Sequence, residues 1–232
     1  AAEVLAGAGH RVTVCEAKPS PARKLLMAGR SGLNLTRDEP PATFAANYEA
    51  NWLAPIVATF GPAEVMDWAR GLGVELFTGT TGRVFPVEMK ASPLLRAWLR
   101  RLDALGVRLQ SRWRWTGWQG PALRFETPEG ERLQTPEITI LALGGASWPR
   151  LGSDAAWVPW LAAKGVEIAP FRPANMGFTV AWSAHMTRHF GAPVKGAALA
   201  AGGRISRGEF VISARGIEGG GRKRHLVHVG LA

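Results

Sequence analysis

The sequence predicts an α/β fold, and three stretches carry that prediction. Residues 1–6 are strong helix formers that pass through Gly7 and Gly9 into an apolar strand, residues 11–15, tipped by Glu16. Residues 137–143 form a second apolar run that enters Gly144 and Gly145. Residues 112–118, within a β-rich stretch from Gly106 to about residue 135, alternate polar and aromatic side chains, the period of a half-buried strand.

A helix, a glycine turn and a strand ending on an acid make up the second half of a Rossmann-like βαβ unit. In that unit the acid grips ribose hydroxyls. The first half would be an apolar strand and a G-x-G-x-x-G turn, which these residues do not contain. It is expected upstream of Ala1, so the domain is expected to lack its first strand.

Composition limits the function classes. The chain has 232 residues and 47% hydrophobic content, enough for one large domain and part of a second. No run approaches the ~18 apolar residues of a membrane span. The N-terminus has no charged region leading into an apolar signal core. Cys15 is the single cysteine, which excludes an internal disulfide framework and a cysteine-rich metal site. A cytoplasmic location is expected. The net charge of +10 is spread over many arginines, with its densest cluster at Arg222-Lys223-Arg224. Such charge bears on association, not on fold.

After Glu16, residues 24–36 read as a basic, glycine-spaced loop. Lys24 and Arg30 bring positive charge, while Ser31, Asn34 and Thr36 bring hydrogen-bonding groups. Gly29 and Gly32 permit close approach or positive φ. Loops of this kind cradle phosphates through backbone N–H groups. Lys-Leu-Leu-Met-Ala-Gly-Arg-Ser-Gly-Leu-Asn-Leu-Thr after such a strand resembles the flavin-contacting loop of bacterial aminoacetone-oxidase-like, NAD(P)/FAD-dependent oxidoreductases. That loop commonly reads K-L-x-x-S-G-G-G-R-C-N-x-T. Lys24, Leu25, Gly29, Asn34 and Thr36 match it; Arg30, Gly32 and Leu33 depart from it, which suggests a distinct subfamily.

A second motif follows the strand expected at residues 137–145. Gly144, Gly145, Ser147, Pro149, Gly152 and Ser153 match the family's G-G-x-S-x-P-x-x-G-S-x-G. Its last glycine is replaced by Ala155 or Ala156. Two motifs in the right order are more specific than either alone.

Between and beyond the motifs, residues 40–51 read as a connection, and residues 52–60 and 62–72 as helices. Residues 75–77 and 82–86 read as strands; Arg83, in a Gly-Arg-x-Phe-Pro piece like the family's, could face substrate or flavin or simply the surface. Ser92 and Pro93 open a helix to Leu105 with a buried leucine face. Residues 122–127 and 130–133 form a hairpin, and residues 154–164 a helix. Proline-rich residues 170–173 mark a boundary, and strands are expected at 176–181, 197–200 and 209–213.

The resemblance implies a two-dinucleotide-domain flavoprotein. Residues 1–170 would be an FAD-binding α/β domain, and residues 171–232 part of a β-rich inserted domain, with a tail at 222–232 foreign to it. The implied cofactor is FAD, with NAD(P)H as a candidate electron donor and a small molecule as substrate. Glu16, Lys24, Gly29, Arg30, Ser31, Gly32, Asn34 and Thr36 are the implied cofactor contacts on one side. Trp115 is the implied adenine neighbour, and Gly144, Gly145, Ser147 and Gly152 form the second wall. No residue stands out as a catalytic acid or base, and the isolated chain is expected to be inactive. Two alternatives remain: an NAD(P)-binding dehydrogenase domain, and a basic nucleic-acid-binding module using the Trp-Arg strand.

Overall fold

A computed structural model describes residues 1–29, 32–48, 51–172, 177–201 and 204–218. The 222–232 tail therefore lies outside the described residues. The chain divides into two compact units, Ala1–Ile168 and Ala169–Ala232.

The first unit opens with α1 (Ala2–Gly7) and β1 (Thr13–Glu16). Residues 24–36, read as a loop, begin instead with a helix, α2 (Arg23–Ala28). Its residues are nearly all good helix formers. Leu25 and Leu26 anchor it on a core of Leu33, Ala69, Ala91 and Leu94. Next come β2 (Thr36–Arg37), α3 (Pro41–Ala45), α4 (Ala54–Thr59) and α5 (Pro62–Gly71). The short α3 falls in the expected connection and takes Pro41 in its first turn, where a missing N–H costs nothing. β3 (Leu76–Thr78) and β4 (Arg83–Pro86) complete an antiparallel sheet of order β2-β4-β3.

α6 (Ala91–Ala104) then buries Leu94 and Leu95. It begins before Ser92, and no side chain caps it, so Ser92 lies inside the first turn. Glu3 of α1 fastens three helices. Its carboxylate accepts hydrogen bonds from Trp68 Nε1 (3.0 Å), Trp98 Nε1 (2.7 Å) and an Arg101 guanidinium nitrogen (2.9 Å). Burial alone would raise this carboxyl's pKa. The bonds from Arg101, Trp68 and Trp98 outweigh burial and hold it below the usual carboxylate value.

β5 (Arg108–Ser111) lies parallel to β1, with Thr13 opposite Arg108 and Glu16 opposite Ser111. The chain then makes an antiparallel meander of β6 (Arg114–Gln119), β7 (Ala122–Thr127) and β8 (Gly130–Gln134). This is the alternation expected from sequence.

Two expectations fail beyond β8. Residues 137–145 form no strand. Ile138 is 82% exposed and Ile140 55%, because no described strand pairs with this run; Leu143, near its end, packs on the cluster of Trp115, Leu123 and Phe125. The helix expected over 154–164 shortens to α7 (Val158–Ala162). Asp154 caps a turn rather than a helix: its Oδ1 accepts the Ala156 N–H at 3.1 Å, and Ala155 is left-handed at φ +56.

The second unit is an antiparallel sheet. β9 (Phe178–Thr179), β10 (Pro193–Ala201), β11 (Arg204–Ser213) and β12 (Gly216–Glu218) run in the order β10-β11-β12-β9. Among the described residues no helix is long and apolar enough to cross a membrane.

Candidate functional site

The parallel pair β1–β5 fixes Glu16 at the tip of β1. Just beyond it the two chains stay bonded. Trp113 donates its N–H to the Glu16 carbonyl (3.0 Å), and Arg112 donates to the Lys18 carbonyl (3.1 Å). The Glu16 carboxylate turns onto its own loop, with Oε1 accepting the Lys18 N–H at 2.8 Å. A carboxylate offers about four acceptor positions, so one such bond leaves room for a pair of ribose hydroxyls.

The two sequence motifs meet through side chains 123 residues apart. Lys24, on α2, donates from Nζ to Ser147 Oγ at 2.7 Å. Ser147 Oγ lies 3.3 Å from Ser153 Oγ, and Ser153 is only 5% exposed. Trp148 and Ser153 close the intervening turn with reciprocal backbone bonds of 3.1 and 3.2 Å. Gly152, at φ +97, gives that turn a left-handed residue. A Cβ there would lie 3.3 Å from Lys18 Cε and 3.4 Å from Lys18 Cγ, so the Lys18 stem rests directly on this glycine.

The first half of the loop is held from below. Gly144, at φ +73, offers its carbonyl to Trp157 Nε1 at 3.0 Å. Gly145 offers its own to the Ala155 N–H at 3.1 Å. Trp115, Leu123 and Phe125 form a buried cluster against which Cys15, Leu143, Trp157 and Trp160 pack. That aromatic floor therefore lies behind both the tip of β1 and the start of the 144–153 loop. Burial there pushes the Cys15 thiol pKa up.

The remaining expected contacts are placed differently. Gly29 needs no special backbone, at φ −88, but a Cβ there would come within 2.6 Å of Ala91 Cβ. Its smallness lets α2 meet α6. Gly32 is at φ +131, and a Cβ would meet Met89 Cε at 2.8 Å. Leu33 is buried and donates its N–H to the Met89 carbonyl at 3.2 Å. Asn34 is exposed, and buried Thr36 pairs with Val84 in the β2–β4 ladder. The bonds that gather the site run through Lys24 and leave the 32–36 stretch with β4. Arg30 and Ser31 lie outside the described residues.

With this geometry in view, a comparison with protein families is decisive. The family described as "HI0933-like protein Rossmann domain" matches residues 1–222. This chain belongs to that family. It is also similar to a 3-dehydro-bile acid delta(4,6)-reductase of Clostridium scindens, at 26% identity over 171 residues. The match covers 71% of this chain and 40% of that relative, so the chain spans less than half of the relative's length.

In this HI0933-like domain the Trp-Arg strand turns Trp115 into the core. Trp115 is 9% exposed and meets Trp118 and Trp160 edge-on, at 4.8 and 5.0 Å between ring centroids. Its Nε1 is buried with no hydrogen-bond partner among the described residues. Sequence reasoning passed over Lys18, which carries only its charge and its place two residues after Glu16 as a signal. It also passed over Trp157, whose bond to Gly144 needs the shortened α7.

Proposed function

We propose that this chain is the dinucleotide-handling part of an FAD-dependent oxidoreductase acting on a small molecule. The observation that carries the reading is the Lys24–Ser147 hydrogen bond (2.7 Å). It joins two glycine-flanked motifs beside a strand tipped by an acid, Glu16, where the α/β rule locates ligands. The name of the Clostridium scindens relative, a reductase, supports a redox reaction.

The residues suit the group. Glu16 would hold ribose hydroxyls, and Lys24 with Ser147 would face an anionic oxygen. Gly144, Gly145 and Gly152 would present backbone without side chains in the way; a Cβ at Gly144 would meet Ser153 Oγ at 3.6 Å. When bound, the flavin would supply the two-electron chemistry, and this chain's residues would bind and orient it. In the finer reading, the family type is aminoacetone-oxidase-like, built on two dinucleotide domains, with a nicotinamide as electron donor. Residues 1–170 would be the FAD domain and 171–232 part of an inserted one.

An absorbance scan of the complete gene product tests this. Bands close to those of free flavin are expected in the purified protein. A colourless protein that takes up no added FAD sinks the reading.

A further inference from the structure

An apolar face on the first unit has no cover among the described residues. Between Glu39 and Glu64 the sequence carries a single charged residue, Glu49. The structure folds this run into α3, a short 3₁₀ segment (Asn51–Leu53) and α4. Large side chains stay in solvent there: Trp52 is 70% exposed, Ile56 55% and Phe60 56%. Val57 and Ala58 of α4 line a cavity of about 120 Å³ beside them, whose walls include Pro62 and Met66 of α5. Asp38, Glu39 and Glu64 line the same cavity. Glu39 lies 3.5 Å from the Arg37 guanidinium. Asp38 accepts the Thr78 hydroxyl at 3.3 Å, and Glu64 the Gly61 N–H at 2.9 Å. Among the described residues neither Asp38 nor Glu64 pairs with a cation. The place is therefore acidic, on a chain whose net charge is +10. Apolar exposure and negative charge coincide here.

We propose that this face docks a basic, partly apolar segment of a second protein. One lysine or arginine of the segment enters the cavity. Its aliphatic stem lies along Val57, Pro62 and Met66, and its charge meets Asp38, Glu39 and Glu64. Apolar residues of the same segment cover Ile56 and Phe60, with Trp52 as the aromatic anchor. Charge selects this occupant. The carboxylates repel an anionic membrane, and the net charge of +10 opposes a second whole copy of the chain. The docking face is independent of the flavin reading, since none of its residues belongs to the Glu16–Lys24–Ser147 site.

The test is fluorescence anisotropy on the complete gene product with labelled synthetic peptides as probes: one of leucine and lysine, one of leucine and glutamate, one of serine and lysine. The leucine–lysine peptide is expected to bind, more weakly as salt rises, and the other two about tenfold more weakly or not at all. Trp52→Ser and Phe60→Ser are each expected to weaken its binding about tenfold. The pair Asp38→Asn with Glu64→Gln removes two charges, keeps both hydrogen-bond acceptors and should do the same. Val4→Ser, at an exposed apolar position on α1, and Asp103→Asn, at an exposed acid on α6, should leave affinity unchanged. Melting temperatures of all variants control for folding. No binding of the leucine–lysine peptide, equal affinity for it and either of the others, or equal affinity in wild type and the face variants would overturn the proposal. Self-association in sedimentation velocity that Trp52→Ser abolishes would overturn it too, by giving the face to a second copy. Trp52-dependent flotation with phosphatidylcholine–phosphatidylglycerol vesicles would do so by giving it to a membrane.

Discussion

Replacing Gly29 by alanine separates a packing role from a cofactor role. The added Cβ would sit 2.6 Å from Ala91 Cβ and 3.2 Å from Leu33 Cβ. Carbon atoms rest at about 3.5–4.0 Å, so the first contact overlaps by roughly an ångström. Ala91 cannot rotate away, since its Cβ is fixed by the first turn of α6. One of the two helices must shift, and overpacking of this kind costs about 1–3 kcal/mol. Gly29 sits at φ −88, where alanine is at ease, so no backbone strain adds to this. For a chain of this size, about 2 kcal/mol lowers Tm by roughly 4–8 °C. Differential scanning calorimetry of Gly29→Ala reads the loss directly. The double variant with Ala91→Gly removes the clashing methyl and should recover more than half of it, a coupling expected only of touching residues. An unchanged Tm in Gly29→Ala, accompanied by lost FAD binding, would refute the packing account and restore the glycine to the cofactor.

Three other predictions follow from single sites. Glu3→Gln keeps one acceptor but loses the charge that serves two indoles and Arg101; unfolding should become easier by about 1–2 kcal/mol at neutral pH. Because the folded-state pKa of Glu3 is lowered, its contribution is full above the unfolded carboxyl value and fades as pH falls through the folded one. Wild type and Glu3→Gln should therefore begin to converge in urea melts as pH falls below the unfolded carboxyl value of about 4.3, and a gap that stays undiminished as pH falls further counts against the latch. Ala155→Gly should stabilise by about 0.5 kcal/mol, since Ala155 holds a left-handed φ of +56 that favours glycine; a loss in the same urea melt would say that the turn is relaxed in solution. Ile138→Ser should leave the stability of this chain within about 0.5 kcal/mol, because the side chain is 82% exposed. A drop of several degrees in Tm would mean that residues 137–143 are buried after all.

The strand tipped by Glu16, the β6–β8 meander and the leucine face of α6 were legible because their signals are local: alternation, helical spacing, turn glycines. Lys24 and Ser147 fall in the two motifs, and only the structure shows that they touch. The 137–143 run misled for a physical reason. Its composition is that of a buried strand, but burial needs a neighbour, and a sequence pattern does not supply one. The loop reading of 24–36 gave too much weight to its glycines and too little to the helix-forming run Arg23–Ala28. Gly29 shows the limit of motif reasoning most clearly, since the residue matches a cofactor loop while the contact that demands glycine is Ala91.

The central claim is that the Lys24–Ser147 junction beside Glu16 belongs to a flavin site. Equilibrium FAD binding, followed by flavin fluorescence quenching, tests it most directly when the complete gene product is compared with its Lys24→Ala variant. Binding by the complete gene product and about tenfold weakening by Lys24→Ala are the expected results. No FAD binding by the complete product, or binding indifferent to Lys24, would contradict the account.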